Sequence, residues 1–282
     1  MIKTIGVVGS GQMGNGIAHV AAQKGYDVIM SDVSEERVEA GFAMIAKNLD
    51  RMVQKEKIAA SEKEEILSRI QKTTHLQIME EAQLVIEAAT ENTELKLALF
   101  EELEEITPED TILASNTSSI SITKIANATK RPEKVIGMHF MNPVPVMQLI
   151  EVIKGHLTST QTYQAILAVS ENLGKTVVTA QDYPGFLVNR VLCPYVNEAF
   201  FALESNIASP EDIDTAMKLG TNVPMGPLTL ADFIGLDTVL SILEVLHQGL
   251  GEDKYRPSPL LRRYVEAGCL GQKTGKGVFH YE

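Results

Sequence analysis

The segment GVVGSGQMGNGIAHV, residues 6–20, constrains the fold more than any other stretch of this chain. It follows a short apolar run, TIGVVG (4–9), and leads into a helical pattern. Its glycines stand as Gly9-x-Gly11-x-x-Gly14. In a strand–turn–helix unit, the first glycine of that spacing permits the tight turn. The second lets a pyrophosphate approach the backbone, and the third lets helix and strand pack closely. Free N–H groups at the helix start then face the phosphates, and Gln12 and Met13 lie within this cofactor-contacting turn. The next strand ends in Asp32, eighteen residues after Gly14. A carboxylate there accepts both adenosine ribose hydroxyls and repels a 2′-phosphate. The nearest arginine is Arg37, so NAD is favoured over NADP.

The rest of the first two thirds supports a sheet around this turn. Strand candidates follow at DVIMSD (27–32), LVIEAA (84–89), TILASN (111–116), KVIGMHF (134–140), VMQLIEVI (146–153) and TVVTA (176–180). Amphipathic stretches such as ELKLALFEELEEI separate them. Such alternation predicts an α/β fold, a Rossmann-type doubly wound and mostly parallel sheet with helices on both faces. Residues 35–71 break the rhythm and read as a helical hairpin without a strand, projecting from the sheet or simply solvated. After Tyr183-Pro184-Gly185 only helical patterns remain. We expect two domains: residues 1–184, dinucleotide-binding with the arm at about 35–71, and 185–282, all-helical. The long apolar helical faces of the second suggest a homodimer interface.

Composition closes off several classes. A net charge of −12 on 282 residues argues against nucleic-acid or anionic-membrane binding, which needs a basic face. No apolar stretch reaches the roughly 18–20 residues of a membrane span. Two cysteines, Cys193 and Cys269, lack metal-type spacing and read as reduced thiols of a cytoplasmic protein. No metal site is expected.

Two polar intruders carry the chemistry. In GMHFMNPVPVMQLIEVI (137–153), His139 and Glu151 sit within apolar runs, each six residues from Pro145. An antiparallel fold-back about Pro145 sets them opposite one another. A carboxylate on one imidazole nitrogen fixes the tautomer and raises the basicity of the other, as a general base requires. A structural His–Glu pair fits the pattern alone equally well. The hydroxyl cluster Ser115-Asn116-Thr117-Ser118-Ser119, at the end of TILASN and so at the same crevice, tips the balance towards function.

GSGQMGNGIA, EAATEN, LASNTSSISIT, GMHFMNPVPVMQLIEVI, PGFLVNR and the terminal GQKTGKGVFHY follow in the order and spacing of the 3-hydroxyacyl-CoA dehydrogenases. The chain resembles that family over essentially its whole length, and within it the short bacterial 3-hydroxybutyryl-CoA dehydrogenases. The resemblance implies His139 as catalytic base with Glu151 its orienting partner. It implies Ser118 on the substrate's 3-oxygen, also near the cofactor, and Asn189 on the substrate side. Glu91, Lys96 and Asn142 match cofactor-contacting positions. Asn48 and Lys55, with Arg51 one turn from each, match the positions that meet coenzyme A. Lys47, Arg51 and Lys55 recur every four residues, a cationic stripe suited to a phosphorylated carrier or to plain solvation. Gln148 stands where the family often has a cation. The expected activity is reversible, NAD-dependent oxidation of an (S)-3-hydroxyacyl-CoA. The alternatives are a dehydrogenase of a free 3-hydroxy acid, or a non-catalytic NAD-binding protein on the same scaffold.

Overall fold

The computed structural model describes residues 2–281. Contacts divide the chain into two compact units, one ending at Tyr183 and one beginning at Pro184.

The first unit runs β1 (Thr4–Val8), α1 (Gln12–Gln23), β2 (Asp27–Ser31), α2 (Glu35–Gln54), α3 (Ala60–Ser68), β3 (Ile70–Thr73), β4 (Leu84–Glu87) and α4 (Thr93–Ile106). It continues with β5 (Ile112–Ser115), α5 (Ile122–Ala126), β6 (Val135–Phe140), β7 (Leu149–Lys154), α6 (Thr160–Asn172) and β8 (Thr176–Gln181). The strands form one sheet in the order β3-β2-β1-β4-β5-β6-β7-β8. All neighbours are parallel except β6 and β7. The order reverses between β1 and β4, and in open sheets of this kind ligands bind outside the strand ends at that switch point. Central strands are buried along nearly their whole length because helices cover both faces, which is why they read as unbroken apolar runs. The core joins Ile5, Val7, Val28, Met30, Ile86, Ala114, Met138 and Ile150 with Ile17 and Ala21 of α1.

The arm differs from expectation in two ways. It ends at Ser68, and Ile70–Thr73 is an additional strand paired parallel to β2. That strand is four residues long, lies at the sheet edge and buries only its two ends. It therefore lacks the alternation or continuous apolar run by which a strand shows itself. Nor does the arm project freely, since Val38, Ile45 and Leu49 of α2 belong to the core. Gly41 lies so close to Ser10 that a Cβ there would stand 2.5 Å from the Ser10 carbonyl oxygen. Ser34 starts α2 by accepting from the Arg37 N–H, with Glu35 and Glu36 in the first turn.

The second unit is all-α: α7 (Val188–Glu204), α8 (Pro210–Thr221), α9 (Pro227–Ile234), α10 (Leu236–Leu250) and α11 (Pro259–Glu266). Phe200, Leu228, Leu236, Leu243, Leu246 and Leu261 form its own core. The buried Asp232 carboxylate accepts from the N–H groups of Val278 and Phe279 and from the Tyr281 hydroxyl, fastening the GQKTGKGVFHY segment to α9. Among the described residues no helix is long and apolar enough to cross a membrane.

Candidate active site

The glycine turn has the geometry its spacing requires. Gly9 adopts φ +100°, a conformation L side chains rarely take, and a Cβ on Gly14 would lie 1.7 Å from the Gly9 carbonyl oxygen. Gly11 is different, because a Cβ there would meet nothing within 4 Å. Packing within the protein does not demand that glycine, and the bare backbone there leaves room for a ligand to approach. Gly11 is also the N-cap of α1 and offers no side-chain cap, leaving the helix start to a phosphate.

Two cavities meet at this turn. One, of about 540 Å³, is lined by Gly9, Asp32, Val33, Leu76, Ala89 and Leu95, and suits an adenosine. The other, of about 650 Å³, is lined by Gly11, Gln12, Met44, Asn48, Asn142 and Pro143. Gly11, Asp32 and Arg37 border both, so they form one trough across the strand ends. Gln12 opens into the trough, whereas the Met13 side chain packs on the core and has only its backbone to offer. These residues fit a dinucleotide.

Asp32 does more than wait for a ribose. Its Oδ2 accepts from the Ser10 N–H at 2.8 Å and the Ser10 hydroxyl at 2.9 Å, and its Oδ1 from the Val33 N–H. It thereby locks the glycine turn to the end of β2. Arg37 stands 3.8 Å from Asp32, with its side chain 66% exposed.

The β6–β7 register pairs His139 with Glu151 and Gly137 with Ile153. His139 Nδ1 lies 2.7 Å from Glu151 Oε2, and Glu151 is wholly buried in a strand flanked on both sides. A carboxylate costs much to bury unless it is hydrogen-bonded, and the imidazole meets that need. Asn116 ties the end of β5 to this pair by accepting from the Phe140 N–H at 2.9 Å.

The hydroxyl cluster is gathered by Glu91. Its Oε1 accepts from the Thr117 hydroxyl at 2.6 Å, the Ser118 N–H at 3.0 Å and the Ser119 hydroxyl at 2.9 Å. The Ser118 hydroxyl also points at it, at 3.3 Å. Burial works to raise the Glu91 carboxyl, but the Thr117 hydrogen bond, the Lys96 charge and the Ser119 and Ser118 donors together hold it below its ordinary value. Lys96 lies behind the trough. Its side chain is 1% exposed and its ammonium sits 2.5 Å from Glu87 and 3.4 Å from Glu91. Its ammonium also donates to the Ala89 carbonyl at 3.2 Å, so it meets protein groups and lines neither cavity. Glu87 itself is a residue the sequence reading passed over. The available signal was the one used for Glu151, a carboxylate inside an apolar strand, LVIEAA.

Asn48 lines the larger cavity. Met44, Asn48, Arg51 and Lys55 follow at i, i+4, i+7 and i+11 and so share one face. Lys47, Arg51 and Lys55 are exposed cations, Lys47 and Arg51 four residues apart on α2 and Lys55 its C-cap. Asn189 lies on α7 in the helical unit and is buried. Among the described residues no group of three His, Cys, Asp or Glu could hold a metal.

Comparison with known proteins agrees with this geometry. The family model for the 3-hydroxyacyl-CoA dehydrogenase NAD binding domain matches residues 4–183, and that for the C-terminal domain of the same family matches residues 185–281. A probable 3-hydroxybutyryl-CoA dehydrogenase of Bacillus subtilis is 54% identical over 281 residues, 100% of this chain and 98% of the relative. Rat mitochondrial hydroxyacyl-coenzyme A dehydrogenase is 44% identical over 289 residues, covering 100% of this chain and 92% of the relative. The solved structure of an (S)-3-hydroxybutyryl-CoA dehydrogenase from Ralstonia eutropha is 51% identical and superposes with a TM-score of 0.98, covering 100% of both chains. Matched along both units, the chain belongs to the 3-hydroxyacyl-CoA dehydrogenase family and is an NAD-dependent oxidoreductase acting on a CH–OH group.

Proposed function

We propose that the chain interconverts (S)-3-hydroxybutyryl-CoA and acetoacetyl-CoA, with His139 as the general base. The observation that carries this is the 2.7 Å His139–Glu151 contact, at the same end of the sheet as the dinucleotide turn. Bound NAD⁺ supplies the hydride acceptor. His139 Nε2 takes the 3-hydroxyl proton as the hydride leaves C3, and Glu151 stabilises the imidazolium that forms. Ser118 holds the 3-oxygen, and Asn189 is the further residue proposed for the substrate. In reduction the imidazolium returns its proton to the carbonyl oxygen. Holding two reactants in line contributes most of the acceleration, and the base adds ~10²–10⁴-fold. Gln12, Met13, Asp32 and Asn142 contact the cofactor, with Glu91 and Lys96 fixing the hydroxyls next to it. Oxidation of NADH by acetoacetyl-CoA tests the reading, with NADPH and free acetoacetate as comparisons. Equal rates with free acetoacetate would exclude the thioester.

The arm separates a thioester substrate from a free 3-hydroxy acid. Asn48, Arg51 and Lys55 are proposed to hold the coenzyme A moiety. A pair of exposed charge contacts at ~1 kcal/mol each predicts that the Arg51→Ala, Lys55→Ala double variant raises KM for acetoacetyl-CoA roughly tenfold or more. Its kcat should stay near wild type. An unchanged KM would remove the carrier from this strip.

We propose a cytoplasmic homodimer formed through the helical unit. Leu219 of α8 and Phe233 of α9 are exposed apolar side chains there, Leu219 at 80%. Cys193 is buried, with its thiol pushed up to about 12 by desolvation, and both cysteines are free thiols, as a reducing compartment keeps them. Light scattering should report about twice 30.8 kDa, and Leu219→Glu should shift that mass towards the monomer.

A further inference from the structure

Glu87 ends β4 and is in register with Val8 on one side and Ser115 on the other. It thus stands between the strand that leads into the glycine turn and the strand that leads into the hydroxyl cluster. It is 0% exposed, and every contact of its carboxylate has a direction. Oε1 accepts from Lys96 Nζ at 2.5 Å and from the Ala89 N–H at 2.7 Å, and Oε2 accepts from the Ser115 hydroxyl at 2.6 Å. A buried ion pair is a poor stabiliser, since apolar side chains of similar volume serve as well or better. The charge at this place therefore calls for another explanation.

Two routes lead from Glu87 to the turn that carries Ser118. In the first, Ser115 Oγ, oriented by Glu87, accepts from the Thr117 N–H at 3.2 Å, and Thr117 Oγ1 in turn accepts from the Ile120 N–H at 2.9 Å. The second runs through Lys96, which shares its ammonium between Glu87 and Glu91, and Glu91 gathers Thr117, Ser118 and Ser119. A third route reaches the cofactor side. Glu87 and Lys96 clamp Ala89 by its N–H and its carbonyl, and a Cβ on Gly9 would stand 2.6 Å from the Ala88 carbonyl oxygen. The segment held by Glu87 is therefore in contact with the dinucleotide turn, and it lines the adenosine cavity.

We propose that Glu87 is a positioning residue for hydride transfer, its carboxylate setting the Ser118 hydroxyl cluster and the Gly9 turn at a fixed spacing. The inference rests on the reading under Proposed function. With Glu87 neutral, Lys96 turns wholly to Glu91 and draws it away from the hydroxyls. Misplacement on the scale of 1 Å costs about 10²-fold in rate. The test measures kcat, KM for acetoacetyl-CoA, Kd for NADH and thermal stability of E87Q, E87D and S115A beside the wild type. For E87Q we expect kcat to fall on the order of 10²-fold, with the NADH Kd within a few-fold of wild type. E87D, which keeps the charge on a shorter arm, should recover about tenfold of that loss, and S115A should lose about tenfold. Thermal stability alone falling, with kcat per folded site within about twofold of wild type, overturns the inference. Should E87Q not fold, S115A decides by the same criterion. Wild-type enzyme inactive with acetoacetyl-CoA and NADH would instead refute the parent reading.

Discussion

His139→Ala binds NADH with a Kd within about threefold of wild type and turns over acetoacetyl-CoA at least ~10³-fold more slowly, within the range of a lost general base. The separation of the two effects follows from where the residues sit. The cofactor turn is built from β1, α1 and β2, with Asp32 holding Ser10. His139 belongs to β6, two strands beyond β4 in the sheet order, and contributes nothing to that turn. Alanine also takes the imidazole from Glu151, a carboxylate with no solvent access. Part of any loss could therefore reflect a disturbed β6–β7 pair. His139→Gln controls for this, since its amide can still donate to Glu151 yet has no basic nitrogen. Both variants should lose turnover alike, and His139→Gln should keep near-native thermal stability. If NADH binding disappears with turnover in both, His139 is part of the cofactor site and the base lies elsewhere. If His139→Gln retains more than about a tenth of wild-type kcat, no general base acts at this position.

How far the site could be read from residues alone depended on whether its signal was local. The glycine turn is local: Gly9, Gly11 and Gly14 each answer a backbone demand a few residues away, so their spacing is visible in a line of letters. The His139–Glu151 pair was legible for a related reason. A fold-back about Pro145 has a definite arithmetic, and the observed register follows it. The Glu87–Lys96 pair was not legible as a pair. Its members are nine residues apart across a strand end and a helix, and Lys96 in ELKLALFEELEEI resembles any solvated lysine of an amphipathic helix. Only the packed structure shows it to be 1% exposed and turned inward. Ile70–Thr73 was hidden by its place at the edge, where one partner and two buried residues are enough to keep a strand. The Ser10–Asp32 contact joins two motifs that were each recognised, but their hydrogen bonds belong to the fold and not to either motif.

Lowering pH from about 7 to about 4.5 should cost the wild type about 2 kcal/mol more stability than His19→Leu, from the displacement of a single imidazole pKa. His19 is on α1, 1% exposed, and neither ring nitrogen meets a hydrogen-bond partner among the described residues. Burial lowers its pKa from 6.5 to about 4, and the neighbouring Lys175 ammonium pushes in the same direction. Lys175 cannot move away cheaply, because it donates to the carbonyls of Val144 and Met147 and so pins the loop after Asn142. The sign follows from linkage. The folded pKa is depressed, so between pH 6.5 and about 4 the unfolded chain binds a proton that the folded chain refuses. The stability of neutral His19 is therefore present in full above pH 6.5 and is lost as pH falls towards 4. Carboxylates titrate in the same range, which is why the comparison with His19→Leu is needed: they contribute equally to both proteins. Leucine also removes two buried polar atoms without partners, so the variant should be at least as stable as wild type near pH 7. Urea midpoints at several pH values measure both quantities. Parallel stability curves for the two proteins from pH 7 down to 4.5 would mean that His19 protonates freely in the folded state, through an opening of α1 against the loop that Lys175 holds.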